Sequence, residues 1–121
     1  MFPVVAVTCA AALALAGAAF SHGTATPRLK GVVGPGYSIS LKKGTTKVKT
    51  LKAGRYMFAI ADKSTIHNFT LEQEKGGHFE KHLTSTPFMG SKSVRVTLKR
   101  GRWKYYCSNH ESLIFGFFRV T

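Results

Sequence analysis

From Leu29 onward, apolar residues recur at every second position over short stretches, and turn-forming residues separate those stretches. Tyr37, Ile39 and Leu41 alternate with serines and stop at Lys42-Lys43-Gly44. Val48 and Leu51 flank a lysine-rich stretch that ends at Ala53-Gly54. Tyr56, Phe58 and Ile60 alternate until Asp62-Lys63-Ser64, and Ile66 to Leu71 repeats the pattern. Val94, Val96 and Leu98 point one way, while Lys92, Ser93, Arg95 and Thr97 mostly meet water, as far as Lys99-Arg100-Gly101. Trp103 and Tyr105 share parity with Cys107, which directs the cysteine toward the face those aromatics bury; Tyr106 has the opposite parity and is expected at the surface. Phe118 and Val120 close the domain after Gly116. A period of two in short segments, with little helical periodicity, predicts an all-β sandwich. One stretch departs from it. Glu72 to Gly90, rich in Glu, Lys and Gly and containing Pro87, reads as a long loop with one helical turn around Phe79 to Leu83.

Before this region the character of the chain changes. Val4 to Ala19 is an alanine-rich apolar run followed by small residues at signal-peptidase spacing, although no Lys or Arg precedes it. Residues 1–21 are therefore expected to be a cleavable signal peptide, with an uncleaved anchor as the alternative. The run is short for a membrane span, so no span is expected after cleavage. Residues 22–29 read as a flexible arm and 30–121 as one domain. Export places the protein in the periplasm, the cell envelope or outside the cell. Cleavage also removes Cys9, leaving Cys107 alone in an oxidising compartment, where a thiol without a partner tends to be oxidised.

The 18 basic and 5 acidic residues all lie beyond position 21, so the domain keeps the whole formal charge of +13. That balance suits an acidic redox protein or an anionic surface as partner, with association that weakens as salt rises. Nucleic acid is not expected, because no recognised binding motif is present.

The candidate chemistry lies in Cys107-Ser108-Asn109-His110 and, forty residues upstream of the cysteine, His67 within Ile66-His67-Asn68-Phe69. One thiolate and two imidazoles from separate segments form the ligand set of a blue copper centre: soft sulfur suits Cu(I), imidazole suits Cu(II). Other candidates are weaker. His78 and His82 are four apart and would share a face of a helical turn, but no acidic or thiol partner accompanies them. Met89 stands between Pro87 and Gly90, which suggest an ordinary bend. His22 would be the first residue after cleavage, the position of an N-terminal copper brace, but a domain of about 100 residues hardly supplies the substrate platform such an enzyme needs.

From about Lys30 to Thr121 the chain resembles the cupredoxins, the plastocyanin- and azurin-like copper proteins. The resemblance rests on Gly31-Val32-Val33-Gly34-Pro35-Gly36, Leu51-Lys52-Ala53-Gly54, His67-Asn68-Phe69, and Tyr106-Cys107-Ser108-Asn109-His110 leading to Phe115-Gly116. It implies a monomeric, eight-strand-type Greek-key β-sandwich holding one copper ion at His67, Cys107 and His110 and carrying electrons without acting as an enzyme. It also implies that Asn68 braces the cysteine loop, and that Leu113 and Phe115 form an apolar docking patch around His110. The family's usual axial methionine is replaced by Ile114, which has no donor atom. That departure implies either a three-coordinate site of raised potential or a site that binds copper poorly. The rival functions are an exported copper-sequestering or copper-delivery protein and a metal-free basic β-sandwich that binds surfaces.

Overall fold

The computed structural model describes residues 25–121, so the expected signal peptide, Cys9 and His22 lie outside the described residues. Ten strands follow in order: β1 (Arg28–Val33), β2 (Ile39–Lys43), β3 (Thr46–Lys47), β4 (Thr50–Leu51), β5 (Gly54–Asp62), β6 (Thr70–Lys75), β7 (Glu80–His82), β8 (Gly90–Leu98), β9 (Gly101–Tyr106) and β10 (Phe115–Val120). They form two five-stranded sheets, β3-β2-β1-β5-β8 and β4-β10-β9-β6-β7. Both sheets are mixed: β1 runs parallel to β5, and β10 parallel to β4. No helix occurs among the described residues, and so none is long and apolar enough to cross a membrane. The expected all-β sandwich is present.

The alternating residues fill the space between the sheets. Leu29, Leu41, Phe58, Ile60 and Leu98 from the first sheet meet Leu71, Trp103, Tyr105, Phe118 and Val120 from the second, all of them buried. The Phe69 and Tyr105 rings stack at 5.9 Å and 9°, and Trp103 stacks on Phe118 at 6.1 Å and 18°. The indole N–H of Trp103 donates to the Lys99 carbonyl at 2.9 Å, so its burial leaves no donor unpaired.

Four local expectations need correction. Leu29 is fully buried in β1, so Arg28 and Leu29 belong to the first strand and not to an arm. Ten strand segments replace eight, because the lysine-rich stretch pairs as the two-residue strands β3 and β4 and the expected loop contains β7. The expected helical turn around Phe79 to Leu83 is absent: Glu72 pairs with Glu80 and Thr70 with His82. Glu80, Lys81 and His82 are all exposed, so β7 carries no alternation for a sequence to display. Tyr106 is buried despite its outward parity, because its hydroxyl donates to Glu80 at 2.7 Å and the Lys104 ammonium lies 5.0 Å from its ring. Burial, followed by the Glu80 carboxylate, pushes its phenol far above the usual range.

Gly116 pairs with Tyr105, whose buried ring lies directly over it. A Cβ at this position would collide with Tyr105 Cζ and Oη. Gly116→Ala is therefore expected to lower unfolding stability by about 1–3 kcal/mol through overpacking, read as a reduced urea midpoint. An unchanged midpoint would show that the Tyr105 ring yields freely.

Candidate metal centre

Two loops at one end of the sandwich build the site. His67 lies in the connection from β5 to β6, Cys107 directly follows β9, and His110 sits in the turn leading to β10. Local hydrogen bonds fold that last turn back on itself. The His110 N–H donates to the Cys107 carbonyl at 3.0 Å, and the Ile114 N–H donates to the His110 carbonyl at 2.9 Å. The Cys107 N–H donates to the Ile114 carbonyl at 3.0 Å, closing the loop at its base. The cysteine thus stands at a strand end with its histidine folded over it.

The structure brings His67, Cys107 and His110 together. His67 Nδ1 and His110 Nδ1 are 3.1 Å apart, and Cys107 Sγ lies 3.8 Å and 3.7 Å from them. A point equidistant from the three atoms lies about 2.1 Å from each, within the range of about 2.0–2.3 Å over which first-row metals bind nitrogen and sulfur. Among the described residues this is the one cluster of three such donors. Cys107 and His67 are buried, while His110 is partly exposed. The donor set has no carboxylate, which favours a soft or borderline ion over magnesium or calcium. These residues fit a copper ion.

Burial, followed by the neighbouring His110, holds the His67 pKa below its ordinary value, partly offset by Asp62 and the Gly36 backbone. A neutral imidazole is the form a metal requires. A consequence for stability follows in the metal-free protein. The unfolded histidine takes up a proton near pH 6.5 while folded His67 resists it, so the unfolded state binds more protons as pH falls. Stability is therefore expected to decline below about pH 6.5, and less steeply in His67→Gln. Urea midpoints at pH 7.5 and 5.5 check this; an identical decline in both proteins would contradict it.

Asn68 ties the two donor segments together. Its N–H donates to Cys107 Sγ at 3.4 Å, and its side-chain amide donates to Ser108 Oγ at 2.7 Å. Its Oδ1 accepts from the Ser108 N–H at 3.0 Å and from the Thr70 hydroxyl at 2.8 Å. Asn109 adds a second tie, donating to the Ile66 carbonyl at 3.2 Å and to Thr86 Oγ1 at 3.0 Å.

Around the donors, Ile114 is buried in the core. Leu113 and Phe115 are 67% and 46% exposed and line a groove of about 740 Å³ together with His110, Lys104 and Phe117. Lys104 lies 5.4 Å and 5.8 Å from the Phe115 and Phe117 rings, so the apolar patch carries a cation. Met89 is exposed, and His82 instead contacts Thr70 Oγ1 at 2.6 Å. His78 is exposed outside any strand, so the shared helical face expected for His78 and His82 does not form.

The sequence reading missed Tyr37. Its exposed ring makes T-shaped contacts with both imidazoles, with centroids 5.2 Å from His67 and 5.0 Å from His110. Alternation with Ile39 and Leu41 had placed it in a strand, yet β2 begins only at Ile39. The available signal was Gly34-Pro35-Gly36, a turn that Gly34 makes at φ 75° and that carries Tyr37 across the end of the sandwich.

No protein-family model matches the chain, and no curated protein matches it in sequence. Solved structures do. The copper protein rusticyanin is similar with a TM-score of 0.55 at 16% identity, over 78% of this chain and 76% of that one. Reduced rusticyanin gives 0.54 at 15% identity over 78% of each chain. A reduced single-site variant of amicyanin gives 0.51 at 14% identity, over 82% of this chain and 87% of that one. At such identities the likeness is one of architecture, and the chain has the cupredoxin-type β-sandwich fold.

Proposed function

We propose that this chain is an exported electron carrier holding one copper ion through His67 Nδ1, Cys107 Sγ and His110 Nδ1. The observation that carries the reading is the convergence of these three donor atoms, with His67 and Cys107 already buried. Copper, when bound, supplies a one-electron couple between Cu(I) and Cu(II). The protein's part is to hold the donors still. The Asn68 N–H fixes the sulfur, burial keeps His67 neutral, and the loop closed at Cys107 and Ile114 fixes His110. The partly exposed His110 beside the groove of Leu113, Phe115 and Phe117 supports electron exit there, toward an acidic redox protein drawn by the basic exterior. Burial of two donors also weighs against delivery, which needs an ion that leaves readily, and against an enzyme, which needs an open position for substrate.

The deciding experiment adds Cu(II) to the purified protein and records its visible spectrum, its melting temperature and its voltammogram. An intense thiolate-to-copper band, a raised melting temperature and reversible cycling are expected. A colourless sample would support the metal-free alternative, and tight Cu(I) binding without reversible cycling would support sequestration.

In this reading Ile114 stands at the position where the resembled family carries its axial methionine, and it would offer a bound ion no fourth donor. Ile114→Met nearly conserves volume and costs under about 1.5 kcal/mol. A thioether there would stabilise Cu(II) relative to Cu(I), and a tenfold preference equals about 59 mV. A fall in potential of about 60 mV or more is expected; an unchanged potential would place Ile114 away from the axis.

A further inference from the structure

The outward positions of the first sheet carry charge of one sign. Strand pairing sets Lys30 opposite Lys42 and Lys42 opposite Lys47, so three lysines stand abreast across β1, β2 and β3. A second row sets Arg28 and Arg95 on either side of Met57, with Arg55 two residues back along β5. The one acidic residue of these five strands, Asp62, is buried. Both ion pairs among the described residues, Arg102–Glu74 and Lys104–Glu111, belong to the second sheet and its loop. Like charges directly opposite on neighbouring strands destabilise a sheet, and no carboxylate on this face offsets them.

The lysine row continues into Ala59 and Ser93. There a shallow groove of about 460 Å³ is floored by Ala59, Ala61, Ser91 and Ser93 and rimmed by Arg28 and Lys30. Strands repeat every ~4.8 Å, wider than the ~3.4 Å of axis per charge on one strand of duplex DNA, so adjacent lysines can each face a separate phosphate. The guanidinium groups of the second row match phosphate oxygens in pairs. A bilayer is a poorer match, because proteins that lie on lipid insert apolar side chains among the headgroups. The apolar residues here, Val32, Met57, Ala59 and Ala61, are half-buried, and none protrudes.

We propose that this face is a docking site for a linear polymer of phosphate groups, separate from the candidate metal centre and independent of the function argued for it. The polymer lies along the row of Lys47, Lys42 and Lys30 and enters the small-residue groove beyond.

The test titrates the purified protein with long-chain inorganic polyphosphate at several salt concentrations. Two triple variants are compared: Lys30→Gln/Lys42→Gln/Lys47→Gln, and Lys49→Gln/Lys75→Gln/Lys81→Gln, which removes equal charge elsewhere. The first is expected to bind at least ~10-fold more weakly and to lose about 2 units of log–log salt slope, since each contact to a single strand contributes about 0.7. The second should lose far less. The first variant should also melt at a higher temperature without polymer, because like-charge repulsion is relieved. Lys42→Gln, at the centre of the row, repeats the comparison with one substitution. Equal weakening of both triple variants would overturn the proposal, and so would tighter binding to phosphatidylglycerol vesicles than to polyphosphate at equal phosphate concentration.

Discussion

Cys107→Ser is expected to abolish the intense visible absorption of the copper-loaded protein and to weaken copper binding by more than about 100-fold. Residues one shell removed from a metal already change affinity by about 10–100-fold, and Cys107 is a proposed donor itself. Its sulfur lies at one corner of the triangle with the two Nδ1 atoms and also accepts the Asn68 N–H. A serine oxygen is harder, and its shorter bond to Cβ falls short of the other donors, so Cu(I) would lose its preferred partner. The fold should survive, because the loop is closed by backbone bonds that the substitution leaves intact. Absorption titration and isothermal calorimetry read the two effects. A band that persists in the serine variant would remove Cys107 from the site.

Asn68→Ala should show the second-largest effect, and it should strike affinity and stability together. The side chain makes three hydrogen bonds, two of them to Ser108 in the cysteine loop and one to the buried Thr70. Ser108 is exposed and can turn to water, but the Thr70 hydroxyl keeps only His82 as a partner. A loss of about 1–3 kcal/mol is expected from these unmade bonds. Copper affinity should fall about 10–100-fold, because the segments bearing His67 and Cys107 are no longer pinned to each other. Asn68→Asp keeps the acceptor for Thr70 and for the Ser108 N–H, and should therefore lose less stability than the alanine variant. Full affinity in the alanine variant would mean that the backbone alone aligns the donors.

Much of this architecture was legible in advance, for a definite reason. Wherever one face of a strand is buried and the other wetted, alternation exposes it, as in Tyr56, Phe58 and Ile60 or Trp103 and Tyr105. The triad His67, Cys107 and His110 was legible because chemistry selects those residue types whatever the backbone does. What escaped depends on neighbours that come from elsewhere in the chain. Strand β7 shows water on every side chain and exists through its pairing with β6. Tyr106 faces outward by parity and is buried only because Glu80 and Lys104 reach over it. Tyr37 follows the alternation of β2 but leaves it, because the Gly34-Pro35-Gly36 turn redirects the chain toward the histidines. The proposed docking face was invisible as well: Lys30, Lys42 and Lys47 are unremarkable in order and become a row only through antiparallel register.

The closing bond from Cys107 to Ile114 sets a timetable for the whole molecule. Strand β9 lies between β6 and β10, and β10 follows it in the chain. A nascent chain therefore leaves the thiol uncovered until β10 has docked, and long-range strand pairing of this kind is slow. The hazardous interval for the sulfur, when an oxidant could reach it, ends as β10 pairs with β9.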